Sequence, residues 1–204
     1  MKIVARGSET QKQEWIAKNA NIAAIEWLDD EEWIDANADV YFDLLFDELN
    51  MVKKFFKQNG VVFANAVITE KHFLPANYIR VNAWNGFLEN EFLEIVALPE
   101  NVVAVTEIMK QLKQKFNFVP DIAGMISPRI ICMIINEAYF ALGEEISTKE
   151  EIDTALKLGT NYPFGPFEWS EKIGLKNVYA LLKKLNSEGL RYSIAPKLEE
   201  EANK

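Results

Sequence analysis

This sequence contains few of the residues on which disulfide and metal chemistry depends. Among its 204 residues there is one cysteine, Cys132, and one histidine, His72. A single cysteine cannot form an internal disulfide, which permits a reducing compartment, and one Cys with one His cannot supply a usual zinc site. Because Cys132 lies in the apolar run IICMII, we expect a small buried thiol rather than a nucleophile.

Positive charge is also scarce. The formal net charge is −9, from 22 Lys and Arg against 31 Asp and Glu. Phosphate binding requires a clustered basic surface, so the sequence predicts no nucleic-acid partner and no docking onto anionic membranes. No apolar run approaches the ~20 residues that span a bilayer, and the start, MKIVARGSE, turns polar too early for a secretory signal. We therefore expect a cytoplasmic protein.

The first half of the chain alternates short strand-like runs with helical segments. The strand-like runs are KIVAR, IAAIEW, ADVYFDLLFDE, VVFANAVI, YIRVNAW and FLEIVA, and the helical segments are TQKQEWIAKNA and NMVKKFFKQNG. Such alternation is typical of a sheet with a substantial parallel part that is flanked by helices.

The second half is helical. An apolar stripe from Val103 to Phe116 predicts a helix, and a long apolar helix and several shorter ones follow. In STKEEIDTALKLG, Ser147 and Glu150 suggest a capping box and Gly159 a left-handed stop. The predicted fold class is α/β plus all-α, with an α/β domain over residues 1–119 and an all-helical domain over residues 120–204.

One irregular segment, NYPFGPFEW, is either a packed corner between two helices or part of a known framework. With its neighbours it resembles the C-terminal domain of the 3-hydroxyacyl-CoA dehydrogenases. The matching residues, in order, are Asn136-Glu137-Ala138, Ser147, Glu151-Ile152-Asp153, Gly159 and Pro163-Phe164-Gly165-Pro166. The resemblance implies a domain that serves dimerisation and closes over an acyl-CoA ligand.

The N-terminal half resembles the Rossmann-like dinucleotide-binding domain of the same family, in a shortened and degenerate form. Glu48 and Lys53 have the spacing that the family uses beside its cofactor, and VVFANAVI is similar to the strand that ends in Ser-Asn-Thr-Ser, with Asn65 retained. Glu94 matches the glutamate that orients the family's catalytic histidine. The resemblance implies an NAD-dependent oxidoreductase framework of fatty-acid metabolism.

Three positions depart from the family's catalytic pattern. The base position, a histidine in the family, falls on Asn82, and an asparagine side chain cannot take up a proton near neutral pH. The serine that hydrogen-bonds the substrate falls on Val67, and the asparagine that begins the long C-terminal helix falls on Pro128. Pro128 fits the start of a helix, where no backbone N–H is missed.

The glycine loop departs as well. A Rossmann loop needs glycines so that a pyrophosphate can approach the helix N-terminus, but only Gly7 is retained, and Glu9 and Lys12 fall on the next two positions. The acidic residues of WLDDEEW, Asp29 to Glu31, are either a ribose ligand or a solvated acidic turn.

Two functions therefore stay open from the sequence. One is a pseudoenzyme that has lost hydride transfer but keeps a homodimer interface and an acyl-CoA or partner site. The other is an active NAD-dependent 3-hydroxyacyl-CoA oxidoreductase with a substitute base. In either case Glu94 is an activating group or a structural partner of Asn82.

Overall fold

The computed structural model of the chain describes residues 1–18, 25–49, 60–187 and 189–204. These residues form two compact units, residues 1–125 and 126–204, whereas the sequence predicted a division after residue 119. The predicted helix of NMVKKFFKQNG, and Lys53 within it, lie outside the described residues.

The first unit is built on a seven-stranded sheet of order β2-β1-β3-β4-β5-β6-β7. Strands β1 to β5 are parallel, β6 is antiparallel to β5, and β7 is parallel to β6. The strands are β1 (Ile3–Arg6), β2 (Glu26–Trp27), β3 (Val40–Asp43), β4 (Val61–Ala64), β5 (Tyr78–Val81), β6 (Leu93–Val96) and β7 (Phe116–Phe118), and the helices are α1 (Glu9–Lys18), α2 (Asp30–Asp35) and α3 (Val102–Gln111). Short 3-10 turns lie at Lys71–Phe73 and Pro99–Asn101.

Successive side chains of each strand point to opposite faces of the sheet, so the unit has two apolar layers. On one face Ile3 and Ala5 of β1 belong to a buried cluster with Trp15 of α1 and Val105 of α3. On the other face Val4 belongs to a cluster with Trp33 of α2, Tyr41 and Val62. Because both faces are buried, the parallel strands read as continuous apolar runs in the sequence.

The last strand of this sheet was not predicted. The helical stripe was expected to reach Phe116, but α3 ends at Gln111, and Lys113 takes a left-handed conformation with φ 53°. Phe116 then begins β7 beside β6, and Val103, assigned to the buried stripe, is 74% exposed. The spacing of the apolar residues was compatible with either structure, and pairing with β6 decided it.

The second unit is all-helical, so the predicted combination of α/β and all-α parts is confirmed. Its helices are α4 (Ser127–Gly143), α5 (Lys149–Thr160), α6 (Pro166–Ile173), α7 (Leu175–Asn186) and α8 (Pro196–Ala202), with a 3-10 turn at Leu190–Tyr192. The long helix α4 packs against α6, α7 and α8. Among the described residues no helix is both long and apolar enough to cross a bilayer.

The two ends of α5 differ from the prediction. The N-cap is Thr148 rather than Ser147, because the Thr148 side chain accepts from the N–H of Glu151, whose carboxylate accepts from the Thr148 N–H in return. Gly159 lies within the helix, and Asn161 takes the left-handed position with φ 56°. The predicted pattern was therefore shifted by one residue at the start and by two at the end.

The corner between α5 and α6 explains the irregular segment of the sequence. The carboxylate of Asp153 on α5 accepts from the N–H of Phe167 (2.8 Å) and of Glu168 (3.2 Å), so it caps α6 from outside. A Cβ on Gly165 would lie 2.3 Å from Asp153 Oδ1, and only glycine permits this approach. Pro166 occupies the first turn of α6, where a missing N–H has no cost.

Candidate functional site

Several predicted site residues meet at one edge of the sheet. Gly7, Asn65 and Asn82 each follow directly on the carboxyl end of a parallel strand, β1, β4 and β5. In open parallel sheets, ligands bind outside the carboxyl ends where the strand order reverses, and here that point is β1, which has β2 on one side and β3 on the other. This edge is the candidate functional site.

A charged network occupies the edge between β1 and β3. Arg6 Nε donates to Asp43 Oδ1 at 2.8 Å and Arg6 Nη2 donates to Asp43 Oδ2 at 3.0 Å, while Arg6 Nη1 donates to Asp30 Oδ1 at 2.9 Å. The guanidinium also lies 5.1 Å above the ring of Trp33. Burial raises the pKa of Asp43 more than the hydrogen bonds from Arg6 lower it.

The acidic turn before α2 is accounted for by this network and by a helix cap. The Asp29 carboxylate accepts from the N–H of Glu31 at 3.0 Å and of Glu32 at 2.8 Å, and Asp30 pairs with Arg6. Asp29 to Glu31 are all exposed. Their contacts agree with the alternative of a solvated acidic turn.

The N-terminus of α1 is capped by its own side chains. Gln11 Oε1 accepts from the Ser8 N–H at 2.9 Å, and Ser8 Oγ accepts from the Gln11 N–H at 3.2 Å. A helix N-terminus binds anions through such otherwise unsatisfied N–H groups. Glu9 adds a negative charge in the same turn, so two of the donors that a phosphate would need are used within the chain.

The amide of Gln11 crosses the edge of the sheet. Its Nε2 donates to the carbonyl oxygens of Leu44, at 2.9 Å, and Ala83, at 2.8 Å, which follow β3 and β5. Asn65 connects the same two segments, because its Nδ2 donates to the Leu44 oxygen at 3.3 Å and its Oδ1 accepts from the Ala83 N–H at 2.9 Å. Gln11 and Asn65 are both buried, so two amide side chains fill the space between the strand ends.

Asn82 lies beside these amides and opposite Glu94. The Asn82 N–H donates to the Glu94 carbonyl oxygen at 3.1 Å, in the antiparallel pairing of β5 with β6. The Asn82 side chain is 3% exposed. Within the described residues its Oδ1 is buried and has no hydrogen-bond partner. The position therefore offers a fixed amide and no group that takes up a proton.

Glu48 contacts the backbone that follows β4. Its carboxylate accepts from three consecutive N–H groups, those of Val67 (2.8 Å), Ile68 (2.7 Å) and Thr69 (2.7 Å). Burial raises the pKa of Glu48 to about 7, although these N–H groups lower it. The described contacts of Glu48 thus hold the loop that contains Val67, the residue that the resemblance aligns with the family's serine.

The comparisons with known proteins agree with the fold and with the helical corner. Residues 124–203 match the protein family described as 3-hydroxyacyl-CoA dehydrogenase, C-terminal domain. Over 148 residues the chain is 28% identical to a 3-hydroxybutyryl-CoA dehydrogenase of Clostridioides difficile, an alignment that covers 71% of this chain and 53% of that relative. The helical second unit is therefore similar to the C-terminal domain of the 3-hydroxyacyl-CoA dehydrogenases, and the longer alignment extends the similarity to most of the chain.

Two further relatives show how the similarity is distributed. A 67-residue stretch, 33% of the chain, is 42% identical to 14% of the 3-hydroxyadipyl-CoA dehydrogenase of Escherichia coli. The crystal structure of an (S)-3-hydroxybutyryl-CoA dehydrogenase from Ralstonia eutropha superposes with a TM-score of 0.69 and 25% identity, over 86% of this chain and 69% of that one. The chain spans about half or less of the length of the two curated relatives it matches here.

The residues of this chain do not fit the dinucleotide that the resemblance to the family implies. At the start of α1, where the pyrophosphate would bind, the backbone N–H groups of Ser8 and Gln11 already donate to side chains of the same turn. The carboxylate of Glu9 would repel the negative charge of the pyrophosphate. The Gln11 side chain fills the crevice at the carboxyl ends of the strands, where it bonds the carbonyl oxygens of Leu44 and Ala83. Gly7 is in close contact as well, since a Cβ there would lie 3.0 Å from the Trp27 ring.

Sequence reasoning missed the residues that fill the edge. For Arg6 and Asp43 a signal existed, because each is a charged residue at the end of an apolar strand, where a paired charge is expected. For Gln11 there was none, since its two acceptors are 33 and 72 residues away in the chain.

Proposed function

We propose that this protein is a 3-hydroxyacyl-CoA dehydrogenase relative that does not transfer hydride and that has kept the framework for binding an acyl-CoA or a protein partner. The observation that carries the proposal is the buried side chain of Asn82. At the position of the family's histidine it places a buried amide oxygen with no partner among the described residues.

Oxidation of a hydroxyl group requires a base that takes up the proton while the hydride leaves. A positioned general base contributes about 10²- to 10⁴-fold to such a step, and an amide contributes none of it because it is not basic near neutral pH. Replacement of the substrate serine by Val67 removes a further polar contact. Both losses affect proton handling, whereas the helical corner around Gly165 is intact.

The crevice supports the same proposal. The side chains of Arg6 and Asp43 bond to each other, and the Gln11 side chain bonds to two backbone carbonyl oxygens. These groups therefore do not need a bound dinucleotide to satisfy their hydrogen bonds. A pyrophosphate would have to displace these contacts and approach Glu9. This cost opposes NAD binding before any chemistry.

The test is titration of the protein with NADH, followed by fluorescence and by calorimetry, and an assay of NADH oxidation with acetoacetyl-CoA. We expect no saturable binding at millimolar NADH and no turnover. The matched variant Asn82→His restores the family's base and is expected to stay inactive, because the crevice is unchanged. Turnover by the unmodified chain would overturn the proposal in favour of an active oxidoreductase with a substitute base.

Acyl-CoA binding is a separate part of the proposal and has its own experiment. Calorimetry with acetoacetyl-CoA and with free CoA, both without nucleotide, measures it directly. Saturable heat with the thioester supports a retained acyl-CoA site. No heat with either compound would remove the acyl-CoA part and leave a protein partner as the ligand.

A further inference from the structure

The segment that follows β5 contains an Asn-Gly pair, Asn85-Gly86. The Phe87 N–H donates to the Trp84 carbonyl oxygen at 3.0 Å, and Gly86 has a φ of 88°. A positive φ at the third residue of a turn with this hydrogen bond is typical of a type II turn and favours glycine. The pair therefore occupies the two central positions of a defined turn.

An asparagine that precedes a glycine can lose its side-chain amide by reaction with the next backbone nitrogen. Here the Gly86 nitrogen would attack Asn85 Cγ, the bond from Cγ to the side-chain nitrogen would break, and ammonia would leave with the Gly86 proton. Water then opens the five-membered imide at one of its two carbonyl carbons, which gives aspartate or isoaspartate. Glycine favours the attack because it has no Cβ to obstruct it.

The side chain of Asn85 is open to this reaction. Asn85 is partly exposed, so water reaches it. In the part of the chain that the structure describes, no hydrogen bond holds its side-chain amide. The resistance to deamidation must therefore come from the other reactant, the backbone nitrogen of Gly86.

That nitrogen is restrained by Glu14 of α1. Gly86 is buried, and its N–H donates to Glu14 Oε1 at 2.8 Å and to Glu14 Oε2 at 2.9 Å. A type II turn holds the ψ of its second residue near roughly +120°, but in the imide ring the Gly86 nitrogen must eclipse Asn85 Cβ, on the other side of the Cα–C bond. The peptide unit must rotate to react, and this rotation takes the N–H away from a carboxylate that is only 5% exposed.

We propose that Asn85 is a deamidation site that Glu14 restrains in the folded chain. Either product adds a negative charge next to the residue whose N–H Glu14 accepts, and isoaspartate also lengthens the backbone by one methylene group. The same segment carries Asn82 and is held by α1 a second time, through the bond from Gln11 to the Ala83 oxygen. Deamidation would therefore loosen the candidate functional site. This inference does not depend on the proposed loss of hydride transfer.

The test is the rate of deamidation at Asn85, measured by peptide mass spectrometry after incubation at fixed temperature and mildly alkaline pH. A hydrogen bond to a charged group disfavours local opening by roughly ten- to hundredfold. We therefore expect Asn85 to react at least tenfold more slowly in the folded chain than in urea. In folded Glu14→Ala the reaction should be at least tenfold faster than in the unmodified chain, with Glu14→Gln between them because its amide oxygen still accepts the N–H.

A second Asn-Gly pair, Asn59-Gly60, serves as the reference within the same molecule. Acceleration at Asn85 without the same change at Asn59 is the expected result for both Glu14 variants. Glu107→Gln removes the same charge from the exposed surface of α3 and is expected to leave both rates unchanged.

Three results would overturn the proposal. The first is deamidation of Asn85 that is as fast in the folded chain as in urea. The second is a pair of Glu14 variants that leave Asn85 unchanged or accelerate it by the same factor as Asn59. The third is slower deamidation in these variants, which would make Glu14 the base of the reaction rather than its restraint.

Discussion

The substitution Gly165→Ala tests how the corner between α5 and α6 is held. The φ of Gly165 is −72°, so alanine has no conformational penalty there, and the effect must come from steric contact. A Cβ would lie 2.3 Å from Asp153 Oδ1 and 2.4 Å from Asp153 Cβ and Cγ, far inside van der Waals contact. Asp153 is buried and cannot move away without leaving the N-terminus of α6.

The expected cost of Gly165→Ala follows from two terms. Displacing Asp153 from the N–H groups of Phe167 and Glu168 removes a helix cap, which costs about 1 kcal/mol. Forcing a methyl group into a packed site costs roughly 1–3 kcal/mol more. We therefore expect the free energy of unfolding to fall by roughly 2–4 kcal/mol, measured by urea denaturation followed by circular dichroism.

Gly159→Ala is the matched control. Gly159 lies within α5, is exposed, and a Cβ there would meet no atom within 4 Å. Alanine at such a helical position is expected to stabilise the chain by about 0.5–1 kcal/mol. If Gly165→Ala were as harmless as Gly159→Ala, the close approach of Asp153 would not hold the corner and the reasoning would be refuted.

Three further perturbations address the first unit. Arg6→Ala leaves the buried carboxylate of Asp43 unpaired and is expected to lower the free energy of unfolding by about 3–5 kcal/mol in urea denaturation. The control Lys2→Ala breaks an exposed ion pair and should change the free energy of unfolding by less than about 1 kcal/mol. Equal effects of the two substitutions would contradict the buried pairing of Arg6 with Asp43. Gln11→Ala removes the side-chain donor of the Ala83 carbonyl oxygen and leaves the Leu44 oxygen with only the longer bond from Asn65, and is expected to cost about 1–3 kcal/mol. A change within error would mean that water replaces the amide. The pKa of Glu48 is raised to about 7 in the folded chain from a usual 4.5, so between these pH values the folded state binds a proton that the unfolded state has released. The free energy of unfolding should therefore fall as pH rises from 4.5 to about 7. Denaturation midpoints measured across this pH range should show the decrease, and Glu48→Gln should flatten it.

The sequence by itself determined the two-part architecture and the resemblance to the family. Strand-like runs and helical stripes are local patterns, and five parallel strands with a helical second unit are found where they predicted them. The helical corner was recognisable because its glycine, prolines and aspartate stand in a fixed order along the chain. The asparagine at position 82 is a property of one residue, so the sequence alone is enough to predict that no proton acceptor stands where the resemblance places the family's base.

Only the tertiary structure decided what occupies the strand ends. Arg6 and Asp43 are 37 residues apart, and the Gln11 amide bonds a carbonyl 72 residues away, so no local pattern connects them. The same holds for β7, whose identity comes from pairing with β6. Residue types limit which hydrogen bonds are available, but the chain must fold before distant donors and acceptors meet. In this protein the hydrogen bonds of Gln11 to Leu44 and Ala83 fill the space between the carboxyl ends of the strands.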